Sequence, residues 1–150
     1  MSAQQQPAIE PEMIPYGMKA ALICLDEGPW REGARAYFAG QGYYLMDEPD
    51  PEPAAARLRL NAVDAVVAGA GKAAALQEMH ARPGLRRRET VLFVVGEYSS
   101  LDAWAAFASG ADWVLSEADA GRCPELLAEA LKRQEAAREP WRLAEGAPAR

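Results

Sequence analysis

Val63–Leu76 reads VDAVVAGAGKAAAL. The run DAVVA is short, continuous and apolar, the pattern of a strand covered on both faces. It enters a glycine turn at Gly69–Gly71 and then a segment, KAAALQEMH, with helix-forming composition. A strand passing through a tight turn into a helix is half of a parallel crossover unit. Turns of this kind often seat a phosphate on the helix N-terminus, so the stretch raises both the fold and a possible chemistry.

Two phosphate-binding patterns can be compared with it. A GxxxxGK[ST] loop needs glycine five places before Gly71, where Val66 stands, and a hydroxyl after Lys72, where Ala73 stands. A GxGxx[GA] pattern is met by Gly69, Gly71 and Ala74. That pattern belongs on the first strand-to-helix turn, and here it lies on the third. The acidic residue expected about twenty places on falls near Glu89, at the start of the next strand. Small residues closing a tight turn account for the glycines. A small-ligand or nucleotide site built on Gly69, Gly71 and Lys72 remains the alternative.

The rest of the chain repeats the same unit. KAALICL (Lys19–Leu25), YYLM, DAVVA, TVLFVV and DWVL are five short apolar runs bounded by polar or turn residues. Helical spacing follows each. In WREGARAYFAGQG, Trp30, Ala34, Tyr37 and Phe38 recur on one face, and Gly40 and Gly42 end the helix. Prolines mark DEPDPEP as an acidic loop, with a short helix from Ala54 to Asn61. ARPGLRRRE reads as a basic loop. SSLDAWAAFASG is the fourth helix, capped by Ser99 or Ser100, favoured in its first turn by Asp102 and ended by Gly110. PELLAEALKRQEAAR is the fifth, with Pro124 at its first position. Five strands alternating with five helices imply an α/β fold: a doubly wound, five-stranded parallel sheet with helices on both faces. Residues 1–17, rich in Gln, Pro and Glu, read as a disordered leader, 18–139 as one domain and 140–150 as a flexible tail. The tail is too short to fold as an output domain.

Composition excludes several classes. The chain has 150 residues, half of them hydrophobic and a quarter charged, with a net charge of −6, so it can bury one core and is a poor candidate for binding nucleic acid or an anionic membrane. No apolar run approaches the roughly 18 residues that span a bilayer, and the N-terminus lacks a secretory pattern. A cytoplasmic location in a bacterial cell is the expectation. Cys24 and Cys123 are two isolated thiols, neither a disulfide framework nor a metal site.

Several strings resemble the receiver domain of bacterial response regulators over about Lys19–Arg138. SSLDAWAAFASGADWVLSEAD resembles the receiver stretch in which a helix ends in Gly-Ala-Asp, the fifth strand follows and a Lys-Pro dipeptide comes next. ALICLDEG resembles the first strand with its paired acids, here Asp26 and Glu27, and VDAVVAG the third, which in receivers ends on the phosphorylated aspartate. The resemblance implies a flavodoxin-like strand order of 2-1-3-4-5. It also marks departures. Gly69, or Ala68 if the register slips by one, stands at the phospho-acceptor. Val95 or Gly96 stands where a switch Ser/Thr belongs. Glu117 replaces the lysine and Ala118 the proline. Glutamate repels a phosphoryl group that lysine would neutralise. The resemblance therefore implies a degenerate receiver, a pseudo-receiver with no enzymatic activity and no cofactor, acting in signalling or scaffolding by protein–protein contact.

Other candidates are weaker. Asp26 and Glu27 at a strand's carboxyl end could hold a hydrated magnesium, or be two solvated acids; no metal site is assigned. Arg82, Arg86, Arg87 and Arg88 could dock an acidic partner or be a solvated loop. His80 has no catalytic partners at a supporting spacing. In receivers, the fourth helix, fifth strand and fifth helix form the usual dimer and output surface. Trp104, in a helix otherwise made mostly of alanines, and residues near Leu126 and Leu127 are the expected anchors of a weak homodimer or partner-docking face there.

Overall fold

A computed structural model describes the backbone of residues 9–145 and the side chains of residues 9–140. Five strands form one parallel sheet: β1 (Ala20–Cys24), β2 (Tyr44–Asp47), β3 (Ala65–Gly69), β4 (Val91–Gly96) and β5 (Trp113–Ser116), in the order β2-β1-β3-β4-β5. Five main helices connect and cover them: α1 (Pro29–Gly40), α2 (Pro51–Leu60), α3 (Ala73–His80), α4 (Ala103–Ser109) and α5 (Cys123–Glu145). The doubly wound architecture and its strand order are those expected from the sequence.

The period-2 alternation of strand side chains divides the core into two layers. Ala21, Ile23, Ala65, Val67, Val91 and Phe93 point into one, against Phe38 of α1 and Leu127 of α5. Ala20, Leu22, Val66, Ala68, Leu92 and Val94 point into the other, against Leu58 of α2 and Met79 of α3. The three central strands are thus apolar at every position because both of their faces are covered.

Four details differ from the sequence reading. Helix α2 starts at Pro51, not Ala54, because Pro51 and Pro53 sit in a first turn whose amides need no intrahelical acceptor. ARPGLRRRE is not all loop: Gly84–Arg88 forms a short helix. Asp102, rather than Ser99 or Ser100, caps α4, its carboxylate accepting from the amides of Trp104 and Ala105. Gly110 ends α4 in the left-handed conformation at φ 75°, as expected. Helix α5 continues through Pro140 to Glu145, so the segment read as a tail begins as helix.

The leader also differs where it is described. Glu12 pairs with Arg57 and accepts the Tyr44 hydroxyl, and Ile14 packs on the core layer of Leu22 and Leu58. Polar composition suggests disorder only while no long-range partner exists, and here Tyr44 and Arg57 supply one. Residues 1–8 and 146–150, and the side chains of Trp141 and Leu143, lie outside the described residues.

Candidate functional site

Parallel strands deliver their carboxyl ends to one edge of the sheet, where open α/β folds place their ligand sites. Asp26 and Glu27 follow β1, Gly69 ends β3, Val95 and Gly96 end β4, and Glu117 follows β5. The structure brings Asp26, Glu27, Gly69, Val95 and Glu117 together around a cleft of about 450 Å³, with Gly71 and Lys72 on its rim. Five residues from four separate elements therefore meet at this edge.

The strand register separates Ala68 from Gly69. Ala68 pairs with Cys24 and is fully buried in the layer of Leu22 and Met79. Gly69, opposite Val95, lines the cleft. At the end of β4, Val95 faces the cleft, while a Cβ on Gly96 would come within 3.0 Å of the Ala70 Cβ and 2.9 Å of the Tyr98 ring.

Lys72 governs the electrostatics. Its Nζ lies 2.5 Å from Asp26 Oδ1, and its side chain is only 14% exposed, whereas that of Asp26 is 86% exposed. The lysine stem lies over Gly69: a Cβ there would meet Lys72 Cγ at 3.6 Å and Cε at 4.0 Å. The chain's own ammonium thus sits beside Asp26, and its methylenes cross the space in front of Gly69. The lining carries three carboxylates, Asp26, Glu27 and Glu117, against one ammonium, which disfavours a phosphate group. Gly71 has open space where a Cβ would stand, so no close approach requires glycine there. Both features weigh against the nucleotide alternative.

Two structural supports of the cleft were not legible beforehand. Trp30, 6% exposed at the start of α1, donates from Nε1 to the Ser116 carbonyl at 2.9 Å and ties α1 to β5. Ser100 accepts from the Ser116 amide and donates to Asp119, joining the loop after β4 to the turn after β5. The helical pattern marked Trp30 as apolar; nothing local marked its long-range acceptor.

The residues expected at a docking face divide sharply. Trp104 and Phe107 on α4 are 78% and 80% exposed, their rings stacked at a centroid distance of 6.0 Å. Leu126 and Leu127, expected to sit at an outward face, are buried: they lie at 3% and 0% exposure beside Phe38, Cys123 and Ala130. Residues 123, 126, 127 and 130 share one helical stripe, and that stripe faces the sheet. Trp113 is half-buried, its Nε1 donating to Gln134.

The basic run is largely structural. Arg87 pairs with Asp112 at 3.0 Å and donates to the carbonyls of Thr90 and Gly110. Arg82 donates to the Leu58 carbonyl, and burial lowers its pKa, with nearby Arg86 adding to the effect. Arg138 donates to the Arg88 carbonyl. Arg86 is exposed. An acidic partner would find Arg87 already committed. His80 is exposed at the end of α3. Both thiols are buried, and burial pushes each up to about 11, so neither is a nucleophile at neutral pH. Among the described residues no group of three or more His, Cys, Asp or Glu side chains is arranged to hold a metal ion, and no helix is long and apolar enough to cross a membrane.

No protein-family model matches this chain, and no curated protein matches it. Solved structures do. The chemotaxis response regulator CheY4 of Vibrio cholerae superposes with a TM-score of 0.60 at 17% identity, over 78% of this chain and 98% of that one. The signal receiver domain of an HD domain-containing protein from Pseudomonas fluorescens Pf-5 superposes with a TM-score of 0.56 at 18% identity, over 79% and 98%. The chain has the receiver fold.

Proposed function

We propose that the protein is a pseudo-receiver: a signalling or scaffold module that acts by protein–protein contact and takes no phosphoryl input. The observation that carries the contact role is the stacked Trp104–Phe107 pair, both rings more than three-quarters exposed. A large aromatic on a short alanine-rich helix gains little from its own domain and much from a partner that covers it. The face formed by α4 and β5 is the docking surface, with Trp104 as its anchor.

The independence from phosphoryl transfer rests on the cleft. The acceptor position is Gly69, the hydroxyl position is Val95, and the lysine position is Glu117. Lys72 already partners Asp26. Soluble signalling in a bacterial cytoplasm fits the receiver fold of the structural neighbours and remains part of the same reading.

Sedimentation of the full chain tests the contact role in its simplest form, self-association. A weak dimer at about 100 μM, equivalent to 5–6 kcal/mol of association, should fall to monomer in Trp104→Ala with the fold retained. A wild-type protein that is monomeric at that concentration removes the homodimer. A Trp104→Ala variant that associates as wild type does removes Trp104 as the anchor.

A further inference from the structure

On the side of the sheet opposite α1 and α5, the described leader packs against the domain outside any helix or strand. Its exposure alternates: Glu12 and Ile14 turn inward, while Pro11, Met13 and Pro15 turn to solvent, as period-2 geometry requires. Three groups converge on Glu12. Its amide donates to Asn61 Oδ1 at 2.7 Å, its carboxylate accepts the Tyr44 hydroxyl at 2.7 Å, and its other oxygen pairs with Arg57. These groups are themselves held in place. Asn61, 6% exposed, donates to the Arg57 carbonyl at 2.9 Å, and Arg57 Nε contacts Glu48 at 3.2 Å. Ile14 seats on the core layer that contains Leu22, Leu58 and Met46.

We propose that Tyr44, Arg57 and Asn61 form a peptide site that reads a glutamate followed two places later by an aliphatic residue, and that the chain's own segment Ile9–Met18 occupies it in cis as a displaceable strap. Tyr44, Arg57 and Asn61 lie on β2, within α2 and at the end of α2, and none belongs to the carboxyl-end cleft. Recognition uses both a side chain and a backbone amide of the ligand, the combination that fixes register in an extended peptide. Pro11 and Pro15 flank the reading positions. They fix φ and remove two backbone donors, so the segment is pre-ordered for binding but cannot join the sheet as a full strand. Low ordering cost with few anchors is the condition for exchange. Met13 at 91% and Tyr16 at 107% exposure add nothing to the hold on the domain. Glu12 also raises the pKa of Tyr44, first through the hydrogen bond they share.

The test uses the full chain with Glu12→Ala, which removes the Tyr44 and Arg57 contacts and so loosens the strap, and a fluorescent peptide of sequence IEPEMIPYGM, corresponding to Ile9–Met18. Anisotropy should show saturable binding to the variant. Wild type should bind roughly tenfold more weakly, because a strap open about a tenth of the time reduces apparent affinity by that fraction. A peptide carrying Gln at the position of Glu12 should lose most of its affinity. No saturable binding to a folded Glu12→Ala chain would overturn the proposal, as would equal binding to variant and wild type. Should Glu12→Ala fold poorly, Tyr44→Phe keeps the ring and removes one donor. It should speed hydrogen exchange at the Glu12 amide; unchanged exchange there contradicts the strap.

Discussion

Lys72 Nζ lies 2.5 Å from Asp26 Oδ1 while the lysine stem covers Gly69. The two residues are 46 positions apart, yet together they account for the chemistry of the cleft. Acids that would otherwise attract a cation have one supplied by the chain, and the end of β3 beside them is a glycine, which projects no carboxylate into the cleft. Because Asp26 is so exposed, the ion pair itself contributes little stability. Its consequence is local charge and occupancy.

Under the proposed pseudo-receiver reading, an aspartate placed at Gly69 should not by itself confer phosphoryl chemistry. A Cβ at Gly69 makes only ordinary contacts, the nearest 3.6 Å from Lys72 Cγ, so Gly69→Asp should fold with a change of no more than about 1 kcal/mol. Its new carboxylate would compete with Asp26 for Lys72, and Val95 and Glu117 would offer a phosphoryl group neither hydroxyl nor cation. Intact-mass spectrometry after acetyl phosphate and magnesium should show no adduct on Gly69→Asp.

Trp104→Ala should leave stability within about 0.5 kcal/mol of wild type, since the side chain is mostly in solvent. Phe93→Ala, at 0% exposure in the central strand, should cost about 3–5 kcal/mol. Urea denaturation of both variants checks the contrast. A loss of several kcal/mol in Trp104→Ala would mean that the ring supports the domain.

Two glycines should behave oppositely. Gly110 adopts φ 75°, and a Cβ there would stand 2.7 Å from His80 Nε2. Gly110→Ala should therefore cost about 1–2 kcal/mol from the left-handed backbone alone. Gly71→Ala meets open space and should be neutral within about 0.5 kcal/mol. Thermal unfolding of the two variants provides the comparison.

The thiols give stability a pH dependence. Burial raises Cys24 and Cys123 from the ordinary 9.0 to about 11 in the folded protein. The folded state therefore holds its thiol protons where the unfolded chain has released them. Their stabilising contribution is complete below pH 9 and is lost as pH rises from 9 to 11. Tyr37 and Tyr43, also raised by burial, act with the same sign. The urea midpoint should fall across this window, and less steeply in the Cys24→Ala, Cys123→Ala double variant.

Legibility in the sequence followed the range of the interactions involved. Strands such as TVLFVV and the Gly110 stop depend on local pattern, and the strand order followed from the receiver resemblance. The cleft positions followed once the strand ends were placed, because parallel topology carries those ends to one edge. Leu126 and Leu127 belong with Cys123 and Ala130 to an apolar stripe whose helical spacing itself assigns it to the core; the outward placement came from the receiver resemblance, which says nothing of which face of the helix is apolar. Pro51 and Pro53 looked like helix breakers, although a first turn tolerates both. The pairs Lys72–Asp26, Trp30–Ser116 and Glu12–Arg57 join residues far apart in the chain, and no local signal specifies such partners.

The most direct measurement is an amide spectrum of wild-type protein with magnesium, recorded before and after beryllofluoride. Gly69 offers no carboxylate to coordinate the beryllium, and Lys72 occupies the acid pair, so the spectrum should be unchanged. Widespread shifts across β4, α4 and β5, or a stoichiometric adduct with acetyl phosphate, would contradict a module that takes no phosphoryl input.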